Sequence, residues 1–471
     1  MVRFDKKMLR TLFSDIRFWI ILFFIIRLTG ITNPPLEVAH NWRQTTVTMV
    51  ARNFFETDNN IFYPRVDFAG DKSGITGMEF PLLNYLIYLV SLLAGYGHWY
   101  GRLINLVVSS LGVWFFFKSV RKYFTGEIAF YAALVLLASL WFSYSRKIMP
   151  DTFSMSLVMA GFYYGTSYLG GGGWKNLGIC FLLMLAGILS KLPSGFILVL
   201  FLLFLFDKNT SRKRIFIFSI LSLLLLLPVG WWYFYWVPAL VEKYGFWHFF
   251  MGKDVVQGAR EILLIPGKAL ANFYDSSLKF AGFTLFLVGV AMSFFHKNRR
   301  LQFILLFSFL SFMVVVLKSG ATFALHAYYM VPFIPVMALV CGYGISHSGT
   351  LVVKTVIITI IVLEGILNQQ HDFFLKPAEI QFESLEATLD KYTGRGDLFV
   401  INSGDYPTVM YFAHRKGWLA TNGQLQDARF MQEIKSNGCK YILIVKHLYG
   451  TDTGLPYNRV FNNEFYTLYR L

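Results

Sequence analysis

The chain has 471 residues, 55% hydrophobic and 18% aromatic, with only 15% charged and a mean hydropathy of +0.51, whereas a soluble domain carries nearer a quarter charged residues. Apolar runs of roughly 17 to 20 residues, long enough to cross a hydrocarbon core, recur along it. The composition therefore excludes a water-soluble globule and indicates a polytopic membrane protein. Its net charge of +16 follows from Lys and Arg on the cytoplasmic side rather than from a nucleic-acid partner.

In chain order, Arg3, Lys6, Lys7 and Arg10 precede the first apolar run, residues 18–31. No small-residue cleavage site follows and Arg27 interrupts the run, so a retained first transmembrane helix is expected rather than a signal peptide. Further apolar runs cover residues 102–119, 126–144, 152–169, 175–190, 194–206, 213–234, 277–295, 301–317, 327–346 and 350–367. The run 80–97 reads as an interfacial helix lying on the membrane. The basic N-terminus, SVRKYF, GGGWK, DKNTSRKR and HKNRR then all fall on the cytoplasmic side, as the positive-inside rule requires. The result is about eleven spans, N-terminus in and C-terminus out in the plasma membrane, or about twelve if 80–97 also crosses.

This threading gives a membrane domain, residues 1–375, with outer loops 32–101 and 236–276, and an extracytoplasmic domain, 376–471. In the tail, DLFVINSG and KYILIV are β-branched runs bounded by turn residues. FESLEATLDKY and LQDARFMQEIK have helical spacing, so a small α/β domain is expected. No fixed-period repeat is visible, which argues against an inverted-repeat transporter. Cys180, Cys341 and Cys439 are far apart and read as packing residues, with no disulfide framework or zinc site.

Polar residues collect where the threading reaches the outer surface. Glu37, His40, Trp42, Arg43 and Gln44 come from the first loop, and Glu79 from GMEFP. Arg146, Lys147 and Asp151 lie in YSRKIMPD, Lys191 in LSKLP, and His326, Tyr328 and Tyr329 in LHAYYMVP. Ionisable groups at membrane depth are costly and mark sites. Each also has a plainer reading. Arg146 and Lys147 can snorkel to headgroups, Trp42 and the Tyr pair can be interfacial aromatics, and Glu37 or Asp151 can cap a helix. Together, carboxylates that can take a proton from a hydroxyl and cations that can hold a departing phosphate suit chemistry on an anionic lipid headgroup.

The layout resembles the membrane glycosyltransferases of the GT-C class, in particular the family 39-like group of aminoarabinose lipid A transferases and protein O-mannosyltransferases. The resemblance rests on the order of HNWRQTTVTMVARNFF, GMEFPLLNYLIYLVSLLAGYGHWYGRLINLVVSSLGV, SRKIMPDTFSMSLVMAGFYYG, LSKLPSG, HAYYMVPFIPVMAL and YFAHRKGW. It implies an inverting transfer of sugar from a polyprenyl phosphate to a hydroxyl of a lipid, glycan or protein at the outer face. One departure stands out. Where the group carries an Asp-Glu pair at the start of the first loop helix, this chain has Arg43 and Gln44, and arginine cannot act as a base.

The expected base is therefore Glu37 or Asp151, with Glu79 orienting the acceptor or holding a divalent cation with Asp151. Arg43, Arg146, Lys191, His326 and Tyr328 are expected at the donor phosphate, and His40, Trp42, Gln44 and Tyr329 at the sugar or acceptor. Three other readings stay open: a transporter or flippase of a lipid-linked sugar, a different GT-C enzyme such as an oligosaccharide transferase or ligase, and a catalytically degenerate assembly subunit.

Overall fold

The computed structural model describes residues 12–247, 252–449 and 454–471; Arg3, Lys6, Lys7 and Arg10 lie outside them. The chain divides into two compact units. One holds residues up to 31, 102–233 and 250–371; the other holds 32–101, 234–249 and 372–471. The sequence placed loop 32–101 with the spans, but the structure packs it with the tail, and the break before the tail falls at Asp372.

The first unit is helical, the form in which a chain in lipid satisfies its own backbone. Among the described residues four helices are long and apolar enough to cross a membrane: Tyr100–Tyr123, Arg212–Tyr244, Arg299–Ser319 and Leu351–Phe373. A fifth forms if Pro266–Ser277 and Lys279–Phe295, bent by 96°, count as one broken span. Only 11% of the apolar window of Leu351–Phe373 is buried, so Val352, Leu363 and Leu367 face outward, as they do toward lipid rather than water.

Other expected spans are shorter or interrupted. The first ends early, as Ile16–Arg27, with Asp15 capping it through the Arg17 amide. Gly126–Ala138 stops at Ser139 and resumes as the single turn Trp141–Tyr144. Leu192–Leu205 winds as a 3-10 helix of 14 residues. The expected loop at 236 is displaced, because the helix begun at Arg212 continues through a π-turn, Trp231–Trp236, to Tyr244. Helices meet closely at glycines: a Cβ on Gly365 would strike the Ala138 carbonyl, and one on Gly289 the Val340 carbonyl.

The second unit is built on a mixed sheet of β1 (Leu398–Ile401), β2 (Lys416–Leu419), β3 (Cys439–Val445), β4 (Asn458–Asn462) and β5 (Tyr466–Arg470). Its order is β2-β1-β3-β5-β4, with β1 parallel to β2 and β3, and β5 antiparallel to β3 and β4. The DLFVINSG and KYILIV expectations became β1 and β3. Alternation along the strands divides their side chains between two cores. Phe399, Ile401, Leu443, Val445 and Leu468 pack with Met49, Val50 and Phe54 of the loop helix Asn41–Glu56. Val400, Ile442, Ile444 and Tyr469 pack with Met431 and Ile434 of Ala428–Ser436.

At β2, Gly417 (φ +145°) has no room for a side chain, since a Cβ there would strike the Phe399 backbone. The helix expected in 80–97 is Leu82–Ala94, 13 residues or roughly 20 Å long, too short to span. The three cysteines are free thiols, and burial pushes the Cys439 thiol up to about 12, an inert packing residue.

Candidate active site

The expected site residues fall into two groups, one in each unit. In the second unit, the segment carrying Glu37 runs antiparallel to the start of the tail. The Val38 amide donates to the Phe374 carbonyl at 3.0 Å, the Lys376 amide to the Leu36 carbonyl at 3.0 Å, and Glu37 pairs with Leu375. Glu37 is fully buried. The chain then turns through two left-handed residues, Ala39 (φ +64°) and His40 (φ +59°). Left-handed backbone costs L-residues roughly 1–2 kcal/mol each and clusters where function holds it.

The His40 carbonyl opens the helix Asn41–Glu56 by accepting from the Arg43 and Gln44 amides, both at 3.1 Å. Asn41 Nδ2 donates to the Glu379 carboxylate, which also pairs with Lys376 at 3.1 Å. Arg43 forms an ion pair with Glu79, so each has a partner that sequence spacing did not provide. Gln44 is buried, while His40 and Trp42 are half-buried. No capping bond comes from the His40 side chain, and Glu37 lies four residues before the helix, so it does not cap it.

Further along that helix, Arg52 and Asn53 both bind the Asp67 carboxylate at 2.8 Å. Burial opposes the Arg52 charge, yet the adjacent Asp67 holds its pKa above the ordinary value. Arg52 also donates to the Tyr411 carbonyl at 2.9 Å and lies 4.6 Å from that ring's centroid. The Tyr411 hydroxyl in turn meets Tyr96 at 2.7 Å and His98 at 2.6 Å. Burial pushes the Tyr411 hydroxyl well above its usual value, so it stays protonated and anchors the network. Sequence reasoning had not singled out Lys376, Glu379, Asp67 or Tyr411. YFAHRKGW, which begins at Tyr411, was the nearest signal.

In the first unit, Asp151 stands in the first turn of Pro150–Leu169. It is not the cap: that position is Met149, which makes no side-chain capping bond. Asp151 is almost fully buried, and Lys191 Nζ lies 3.7 Å from its Oδ1. Lys191 occupies the extended link (φ −161°) between Trp174–Ser190 and Leu192–Leu205. Its ammonium also sits 5.6 Å from the Tyr328 ring centroid, within range of a cation–π contact.

Tyr328 stacks on His326 (5.3 Å, 16°) and on Tyr329 (4.9 Å, 27°), in an irregular stretch where His326 is extended. Asp151, Lys191, Tyr328, His326 and Tyr329 thus form one chain of contacts. Ser154 Oγ fixes the three backbones behind it, donating to Gly187 O at 2.7 Å and meeting Ser194 Oγ at 2.8 Å.

Arg146 and Lys147 are each 1% exposed and so do not snorkel. Arg146 donates to the Gly30 carbonyl at 3.0 Å. The Lys147 carbonyl accepts from Asn105 Nδ2 at 2.8 Å, and the same amide reaches Thr152 at 3.0 Å, which sets the loop before Asp151. Among the described residues no group of three or more His, Cys, Asp or Glu is placed to hold a metal ion.

Known proteins share part of this sequence and its fold. Residues 78–232 match the dolichyl-phosphate-mannose-protein mannosyltransferase family, a stretch that contains Glu79, Arg146, Asp151 and Lys191. The fold is that of the GT-C class of membrane glycosyltransferases. In particular, the chain is similar to ArnT from Cupriavidus metallidurans in the apo state: TM-score 0.58, 12% identity, covering 96% of this chain and 97% of that one. ArnT bound to undecaprenyl phosphate aligns with a TM-score of 0.56 at 12% identity, over 96% and 98%. The archaeal oligosaccharyltransferase AglB from Archaeoglobus fulgidus, in complex with an inhibitory peptide and a dolichol-phosphate, aligns with a TM-score of 0.54 at 13% identity, over 91% and 69%. No curated protein sequence matches.

Proposed function

We propose that this chain transfers a sugar, with inversion, from a polyprenyl-phosphate donor to a hydroxyl of a lipid, glycan or protein acceptor at the outer face of the plasma membrane. The observation that carries the reading is the run Asp151–Lys191–Tyr328–His326 at adjoining helix ends, its acid and lysine inside the stretch matched by a lipid-phosphate sugar transferase family. Two of the similar folds, ArnT and AglB, hold undecaprenyl phosphate and dolichol-phosphate.

In this reading the acceptor oxygen attacks the anomeric carbon and gives its proton to the Asp151 carboxylate. The bond from that carbon to the phosphate oxygen breaks, and the leaving polyprenyl phosphate takes the electron pair. Lys191, Arg146 and His326, with the Tyr328 hydroxyl, stabilise the charge that develops there. Arg43 supplies a further cation, held by Glu79. His40, Trp42, Gln44 and Tyr329 handle the sugar or acceptor, and Glu37 is the alternative base. The same reading keeps about eleven membrane crossings, the N-terminus in the cytoplasm and the tail domain outside.

A second reading, a non-transferring assembly subunit, is favoured by one observation: Arg43 and Gln44 stand where the resembling group has acids. The test is sugar transfer from a radiolabelled undecaprenyl-phosphate sugar into cell-envelope acceptors by reconstituted protein. Asp151→Asn should lower the rate by about 10²–10⁴-fold, the worth of a positioned base, and Glu37→Gln far less. Wild-type rates in Asp151→Asn with collapse in Glu37→Gln would move the base to Glu37. Label that crosses the bilayer without entering a glycosidic bond would mean a flippase, and no transfer by the wild type to any acceptor would favour the subunit.

A further inference from the structure

Away from Asp151, the first unit carries a half-open cavity of about 610 Å³ among Tyr100–Tyr123, Pro150–Leu169, Leu192–Leu205, Arg299–Ser319 and Ile334–Ser346. Phe162, where Pro150–Leu169 lines it, is eleven residues beyond Asp151, roughly 16 Å along the axis. The wall is almost wholly apolar, and the volume lies in the range of sites that take an organic ligand.

Besides the Tyr123 phenol, three polar side chains line the cavity. Ser119 is 7% exposed, and its hydroxyl is buried without a hydrogen-bond partner, so the wall holds an unsatisfied donor. Arg300 and Asp207, the other two, stand where their helices begin or have just ended. Arg300 donates to the Tyr123 carbonyl at 3.2 Å, its guanidinium 5.3 Å from that ring's centroid. Asp207 accepts from the Asn209 amide at 3.0 Å and from Thr210 Oγ1 at 2.8 Å. Neutral groups hold both charges, which also attract one another, and the cavity offers an apolar interior with one cation and one anion at its rim.

We infer that this cavity binds a membrane phospholipid with a zwitterionic, primary-ammonium headgroup. One acyl chain fills the apolar interior. The phosphate oxygens meet the Arg300 guanidinium and the ammonium meets the Asp207 carboxylate, charge-assisted contacts in both cases. A phosphoglycerol head would set hydroxyls against Asp207, and a prenyl phosphate would set only negative charge there, so charge complementarity selects the ethanolamine type. The site is separate from the proposed donor site and does not depend on the transfer chemistry.

The full-length protein, delipidated in detergent, tests this by native mass spectrometry and thermal unfolding with phosphatidylethanolamine, phosphatidylglycerol or undecaprenyl phosphate added singly. Phosphatidylethanolamine should give one retained adduct and raise Tm, about tenfold more tightly than phosphatidylglycerol. Asp207→Asn should abolish that preference, and Arg300→Gln should weaken both phospholipids. Leu200→Trp, which fills the interior, should remove the adduct. Should Leu200→Trp not fold, the two charge variants still decide. Equal binding of both phospholipids to the wild type, an adduct undiminished in Asp207→Asn and Arg300→Gln, or displacement of phosphatidylethanolamine by undecaprenyl phosphate would each overturn the assignment.

Discussion

The two units answer the same problem, a buried arginine, in different ways. In the second, Arg52 is matched by the Asp67 carboxylate and Arg415 by Asp390. In the first, Arg27 is served by neutral oxygens, the Phe23 carbonyl and the hydroxyls of Ser145 and Ser110. Arg214, at a helix end, is likewise held by the carbonyls of Tyr168, Gly171 and Gly172. At Arg27 and Arg214 hydroxyls and the backbone carbonyls of packed helices hold the guanidinium; at Arg52 and Arg415 side chains of opposite sign do so. The first unit should therefore be fragile to bulk at helix contacts, and the second to loss of a single charge.

The largest effect is expected from Asp67→Ala. It leaves Arg52 buried without its carboxylate and should cost about 3–5 kcal/mol, read as a fall in Tm of detergent-purified protein. Arg52→Met together with Asp67→Leu should recover most of that loss, because two apolar side chains can replace a buried pair. A double variant no better than the single one would break the contrast drawn above.

Next in size is Gly365→Ala, which drives a methyl against the Ala138 carbonyl and should cost roughly 1–3 kcal/mol. Gly178→Ala, in open space, is its control and should leave Tm unchanged.

The smallest effect is a pH dependence. Hydrogen bonds from Arg415, then Arg395, hold the Asp390 carboxyl below its unfolded value of 3.8. A lowered folded value stabilises above that pH and is lost as pH falls through the folded value. The Tm of the wild type should therefore fall more steeply than that of Asp390→Asn between about pH 4 and pH 2. Parallel curves would remove Asp390 from the acid response. Half-exposed pairing keeps the effect small, under about 1 kcal/mol.

Local pattern carried the sequence reading where local physics decides structure. The long apolar runs became helices, and DLFVINSG and KYILIV became strands, because periodicity and β-branching act over a few residues. The sequence also brought Asp151, Lys191, His326 and Tyr328 to attention as charged or aromatic groups in apolar surroundings, and the structure joins them. What it could not show were pairings across the chain. Asn41 meets Glu379 from 338 residues away, and Arg52 meets Tyr411 from 359, while neither tail residue stands out from its neighbours. Arg43 and Glu79 were assigned separate roles although they bind each other, since 36 residues of loop separate them. The early end of Ile16–Arg27 and the helical stretch through Tyr244 were also hidden, because hydropathy does not mark where an apolar run stops being helical.

The strand-like pairing of residues 36–38 with 374–376 has a consequence for biosynthesis. A ribosome adding 5–20 residues per second needs roughly 20 to 70 seconds to cover the 338 residues between Asn41 and its partner. Throughout that interval the first loop has emerged but lacks the strand that shapes it. Its left-handed turn at Ala39 and His40 gains this pairing only once the chain has been made past Lys376, after the helices of the first unit and before the strands of the sheet.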